Sequence, residues 1–117
     1  MRAYTDLEQS KKLTEILPLE SADLYYDISF DNEYHIQMPT NGYFGNKRFF
    51  IQFPEAVPCW SLTALMDVLD RGILFKTPQG WAYQIYIEYK AITSDFYSNP
   101  IDAVFEMVCW LKENGKL

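Results

Sequence analysis

The stretch Ser61-Leu62-Thr63-Ala64-Leu65-Met66-Asp67-Val68-Leu69-Asp70-Arg71-Gly72 changes period where it meets Ile73-Leu74-Phe75-Lys76, and that change decides the fold. Leu62, Leu65, Met66 and Leu69 recur at i, i+3, i+4 and i+7, the spacing of one buried helical stripe. Ser61 stands where an N-cap belongs, and Gly72 where a helix terminator belongs. From Ile73 the period drops to two. Thr77-Pro78-Gln79-Gly80 places proline second and glycine fourth, which suits a type I turn, so residues 73–76 and 81–90 predict a hairpin. Along its second arm Tyr83, Ile85, Ile87 and Tyr89 alternate with Gln84, Tyr86, Glu88 and Lys90.

The same reading extends outward. Upstream, Leu24, Tyr26, Ile28 and Phe30 alternate with Asp23, Tyr25, Asp27, Ser29 and Asp31. After Asp31-Asn32, Tyr34, Ile36 and Met38 alternate with Glu33, His35 and Gln37, so residues 22–38 predict a hairpin with one buried and one acidic face. Pro39-Thr40-Asn41-Gly42 has turn chemistry, and a third strand is expected over 47–53. Residues 5–17 predict a helix with a Thr5/Glu8 capping box, stopped by Pro18. Asn99-Pro100 opens the last helix as cap and first helical residue. Ile101, Val104, Phe105, Val108 and Leu111 form its main stripe, and Asn114-Gly115 ends it. The order α-β-β-β-α-β-β-α predicts a single α+β domain over residues 1–117. Its three helices cover one face of a mainly antiparallel sheet of about five strands.

Composition narrows the function classes. The 117-residue chain carries a formal charge of −6, is 49% hydrophobic and 17% aromatic, and has two cysteines. An acidic chain lacks the positive surface that displaces counterions from a nucleic-acid backbone, so direct nucleic-acid binding is not expected. Apolar content argues against disorder, and two cysteines are too few for a disulfide scaffold. Cys59 and Cys109 are expected to be reduced and packed. No apolar run approaches the roughly 20 residues of a membrane span. The first residues turn acidic at once, without the apolar centre of a signal peptide; a cytoplasmic location is expected.

No catalytic constellation assembles. His35 is the only histidine, and it falls on the acidic face, as a general base beside Glu33, a pH sensor or an ordinary strand residue. A Cys59–His35 nucleophile pair would need the thiol activated at a helix start, yet Cys59 precedes the cap and stands between Pro58 and Trp60. The acids from Glu20 to Glu33 lack the spacing of a calcium loop, and no glycine-rich phosphate cradle occurs. No metal and no cofactor are implied.

Charge distribution is more telling. Residues 5–33 contain eight acids and two lysines, and the rest of the chain balances to zero. Acids and tyrosines together suit protein binding, because tyrosine gives contact area at small entropic cost; the plainer reading is a solubilising face. The candidate partner-binding residues are Asp23, Tyr25, Asp27, Asp31, Glu33 and His35.

Three segments carry a resemblance: Tyr4-Thr5-Asp6-Leu7-Glu8-Gln9-Ser10-Lys11-Lys12-Leu13 through Ile16-Leu17-Pro18-Leu19-Glu20-Ser21-Ala22-Asp23-Leu24-Tyr25-Tyr26; Pro58-Cys59-Trp60-Ser61-Leu62-Thr63-Ala64-Leu65; and Asn99-Pro100-Ile101-Asp102-Ala103-Val104-Phe105-Glu106-Met107. Together they resemble small uncharacterised proteins encoded in prophage and mobile elements of anaerobic gut bacteria. The resemblance implies a phage or mobile-element context and a cytoplasmic location, and carries over no activity, ligand or catalytic residue.

The expectation is a non-catalytic accessory protein that binds an unknown protein partner or forms a homodimer. Self-association is suggested by the 81–90 strand, which has Trp81, Tyr83 and Tyr89 on one face and Tyr86 on the other. Two alternatives belong to other classes. One is an acidic DNA mimic that inhibits a host nucleic-acid enzyme, which needs carboxylates spaced like phosphates. The other is a small-molecule binder or hydrolase, which needs a concave pocket near Cys59, Trp60 and His35.

Overall fold

Asp6 starts the first helix, α1 (Leu7–Thr14). Its carboxylate accepts from the Gln9 N–H at 2.7 Å, and the Gln9 side chain accepts from the Asp6 N–H at 3.0 Å. This capping box lies one residue later than the Thr5/Glu8 pair expected from sequence. The reason is that Thr5 is fully buried and its hydroxyl is used inside the protein, bonded to Ser10 Oγ at 2.7 Å and accepting from the Trp60 N–H at 3.2 Å. The helix is correspondingly shorter than residues 5–17. A short 3₁₀ turn, Leu19–Ser21, follows Pro18.

The computed structural model describes residues 2–28, 34–37 and 55–117. Strands β1 (Leu24–Ile28) and β2 (Tyr34–Gln37) pair antiparallel with Tyr26 opposite Ile36, a register that sets these two apolar positions on one face. On the other side of β1 runs β3 (Val57–Cys59), with Cys59 opposite Leu24 and Pro58 opposite Tyr25. The pattern gave no warning of β3, because proline removes a ladder donor. Its position at the edge of the order β2-β1-β3 is where a strand tolerates that loss. The turn at residues 39–42 and the strand expected over 47–53 lie outside the described residues.

Ser61 caps α2 (Leu62–Leu69) through an Ala64 N–H bond of 3.1 Å. The helix ends on Asp70 in the left-handed conformation, φ 54°, ahead of Gly72. Strands β4 (Ile73–Thr77), β5 (Gly80–Ile87) and β6 (Lys90–Thr93) then form an antiparallel meander. The single strand expected over 81–90 therefore breaks: Glu88 and Tyr89, at φ 51° and 67°, turn the chain back in two residues. The last helix, α3 (Pro100–Glu113), begins at Asn99-Pro100 as expected, but the Asn99 side chain does not cap its own helix. It accepts from the Arg2 N–H at 3.1 Å, so the start of the chain is tied to the start of α3.

The fold is α+β with antiparallel pairing throughout its strands. The described residues form two three-stranded sheets rather than one. α1 packs on β3, α3 packs on β4 and β5, α2 packs on α3, and one apolar cluster, including Leu13, Trp60, Leu65, Tyr83, Ile85 and Val104, joins them. Each such side chain contributes about 1.5–3 kcal/mol on leaving water. Among the described residues no helix is long and apolar enough to cross a membrane.

Candidate functional site

Of the acidic candidates from the sequence, Asp23 and Asp27 lie among the described residues. Both oxygens of Asp23 are engaged by Ser61, one accepting from its N–H at 2.8 Å and the other from its hydroxyl at 2.5 Å. Asp23 thus anchors β1 to the start of α2. Tyr25 is half-buried and packs against the core cluster, and burial, followed by the nearby Asp27 charge, raises its pKa. Asp27 is half-exposed, with His35 opposite it in the β1–β2 register. Asp31 and Glu33 lie outside the described residues. A shallow groove beside α2 is lined in part by Glu20, Asp23 and Asp67, but Asp23 is already committed to Ser61. Among the described residues no group of three or more histidines, cysteines or carboxylates is placed to hold a metal ion.

The Cys59 neighbourhood is a packed polar knot rather than a pocket. Cys59 and Trp60 have no solvent exposure. The Thr5 carbonyl accepts from the Tyr26 hydroxyl at 2.8 Å and from the Cys59 thiol at 3.4 Å, and the indole N–H of Trp60 donates to Ser21 Oγ at 2.9 Å. Burial pushes the Cys59 thiol pKa up, outweighing the opposing bonds from Thr5 and Ser10, the reverse of what a nucleophile needs. In the pairing register Cys59 stands opposite Leu24, whereas position 35 stands opposite Asp27, three positions further along β1. Cys109 is buried and free as well, as packed reduced thiols require.

The second sheet offers a different kind of surface. Its inner face presents Leu74, Tyr83, Ile85, Ile87 and Ile92 to the core. By register, the outer face collects Ile73 and Phe75 from β4, Ala82, Gln84 and Tyr86 from β5, and Ala91 and Thr93 from β6. None of these residues is charged. Ile73 is 61% exposed and Tyr86 65%, while Tyr89 at the hairpin tip is fully exposed. Among the described residues, the one side-chain hydrogen bond across this face is Gln84 Nε2 donating to Thr93 Oγ1 at 2.9 Å. An antiparallel sheet with one wet face ordinarily puts polar and charged side chains there.

Two backbone contacts tie this sheet to the segment that follows it. The Gly80 backbone, at φ 130°, runs so close to Tyr97 that an added Cβ would lie 2.6 Å from the Tyr97 carbonyl oxygen. Trp81 and Tyr97 exchange backbone bonds of 2.7 and 2.8 Å, pinning the segment after β6 back onto β5. The Tyr97 hydroxyl in turn donates to Glu106 on α3 at 2.8 Å.

Alternation along 81–90 places Tyr86 on the face opposite Tyr83. The signal in the sequence for this face is the absence of charge at every outward position from Ile73 to Tyr86. No family model, curated protein or solved structure matches this chain.

Proposed function

We propose that this protein acts by non-covalent protein binding, as an accessory component of a phage or mobile element, and that its contact surface is the outer face of the second sheet. The observation that carries this reading is the combination of large exposed Ile73 and Tyr86 side chains with a complete lack of charge on that face, in a chain of net charge −6. Depletion of charge is a compositional mark of an interface core, and Ile73 and Tyr86 stand as large exposed side chains on a face whose Phe75 is half-buried and whose Ala82 is fully buried. The acidic hairpin supports the reading less well, since Asp23 and Tyr25 serve the fold.

The test is the pair of substitutions Ile73→Lys and Tyr86→Lys, made together. Both side chains are more than half exposed, so the unfolding midpoint should hold. The expected result is loss of self-association in sedimentation, or of the proteins that co-purify from the native host. Unchanged sedimentation together with an unchanged set of co-purifying proteins would refute the proposal.

A further inference from the structure

We infer that the second sheet also takes a second copy of the same chain, joined edge to edge through β6 running antiparallel to its equivalent, beside the outer face and not across it. The inference rests on the reading that the second sheet carries the contact, and adds the partner and the geometry.

Backbone geometry comes first. The Ser94 N–H donates to the Tyr83 carbonyl at 2.9 Å. In an antiparallel ladder, hydrogen-bonded pairs alternate with non-bonded ones. Tyr83 with Ser94, Ile85 with Ile92 and Ile87 with Lys90 are therefore the bonded pairs. The N–H and C=O groups of Ala91 and Thr93 consequently point away from β5. Both residues are exposed, and among the described residues β6 pairs with no strand but β5. A row of outward donors and acceptors is a template for another strand.

A second copy satisfies this template by two-fold symmetry. Placing Ala91 opposite Thr93 of the other copy, with Ile92 on the axis, lets each outward group meet its complement, making about four backbone hydrogen bonds. The charges at the strand ends agree with this arrangement. Lys90 opens β6 and Asp95 follows its end, both exposed, so antiparallel pairing brings each Lys90 end against the other copy's Asp95 end. The two uncharged outer faces become one continuous face across six strands.

The pairing spans about 13 Å of strand and covers far less than the roughly 800 Å² per partner of a standard interface. The dimer is accordingly weak, and its sedimentation is followed up to about 1 mM chain. The decisive variant is Ala91→Pro, which removes only an outward N–H and leaves the bonds to β5 intact. It should keep the wild-type circular dichroism and weaken dimerisation at least about tenfold, since symmetry removes two bonds at once. Lys90→Glu and Asp95→Lys should each weaken the dimer, and the two combined in one chain should restore it. That second arm does not depend on proline being accommodated.

A wild-type chain that stays monomeric to about 1 mM overturns the inference. The outer-face reading then stands or falls separately with the Ile73 and Tyr86 variants. A dimer that survives Ala91→Pro but is dispersed by Tyr86→Lys overturns edge pairing and keeps the face. Failure of the combined charge exchange to restore association overturns the antiparallel register.

Discussion

Gly72 shows how much a single missing side chain can decide. At φ 97° its backbone passes so near β5 that a Cβ would lie 2.5 Å from Ile85 Cγ2 and 2.7 Å from both the Gln84 carbonyl and a Tyr83 ring carbon. Gly72→Ala should therefore cost about 3 kcal/mol or more, from backbone strain and overpacking together, read as a lowered urea midpoint. Thr5 is the polar counterpart. Thr5→Val keeps the shape but strips partners from the Ser10 hydroxyl and the Trp60 N–H, an expected loss of about 1–3 kcal/mol. The buried thiol and phenols set the alkaline limit. Burial raises the pKa of Cys59 and Tyr26, and burial with the Glu106 bond and charge pushes Tyr97 up to about 12. In the unfolded chain these groups lose their protons earlier, near their ordinary values of 9.0 and 10.0. The unfolded state then binds fewer protons, so stability falls as pH rises. Thermal melts should show these groups' contribution intact below about pH 9 and declining towards pH 12, with Tyr97→Phe flattening the upper part of the decline.

Among the elements, the β5–β6 turn is the least economical. A two-residue turn with both φ values positive normally takes Asn-Gly, and each non-glycine residue held there costs of order 1 kcal/mol or more. Glu88→Asn combined with Tyr89→Gly should raise the melting temperature by several degrees, a gain measurable by calorimetry. This turn also marks where the sequence stopped being legible. Alternation continued through Glu88 and Tyr89 without a break, and neither residue type advertises a left-handed conformation, so 81–90 read as one strand. Pro58 concealed β3 in the same way, by looking like a terminator. By contrast α2, the β4–β5 hairpin, the β1–β2 alternation and the Asn99-Pro100 helix start were all readable, because periodicity and caps are local signals. Division into two sheets was not, since it depends on which strand edges meet in space. The uncharged outer face was half legible: alternation placed Tyr86 opposite Tyr83, but nothing local said that Asp23 and Tyr25 would be drawn into the fold.

At the scale of the whole molecule, the two sheets share one core through α2 and α3, so the protein should unfold in a single cooperative step. Trp60 stands beside the first sheet and Trp81 within the second. In a Trp110→Phe background, the fluorescence of Trp60→Phe and of Trp81→Phe should therefore report the same urea midpoint as circular dichroism, once each variant is compared with its own far-ultraviolet transition; separate midpoints would mean that the sheets melt independently. The Glu88-Tyr89 turn has a kinetic consequence as well. The Pro78-Gln79 loop closes β4 on β5 with favourable chemistry, whereas β6 must be folded back through a turn that resists closing. Zipping of the meander should thus begin at Pro78 and finish at Thr93. Ile92→Ala is then expected to speed unfolding while leaving the refolding rate nearly unchanged. In native-state exchange, the amides of β6 should be the first of the meander to trade their hydrogens with solvent, which makes the last strand to arrive also the first to leave.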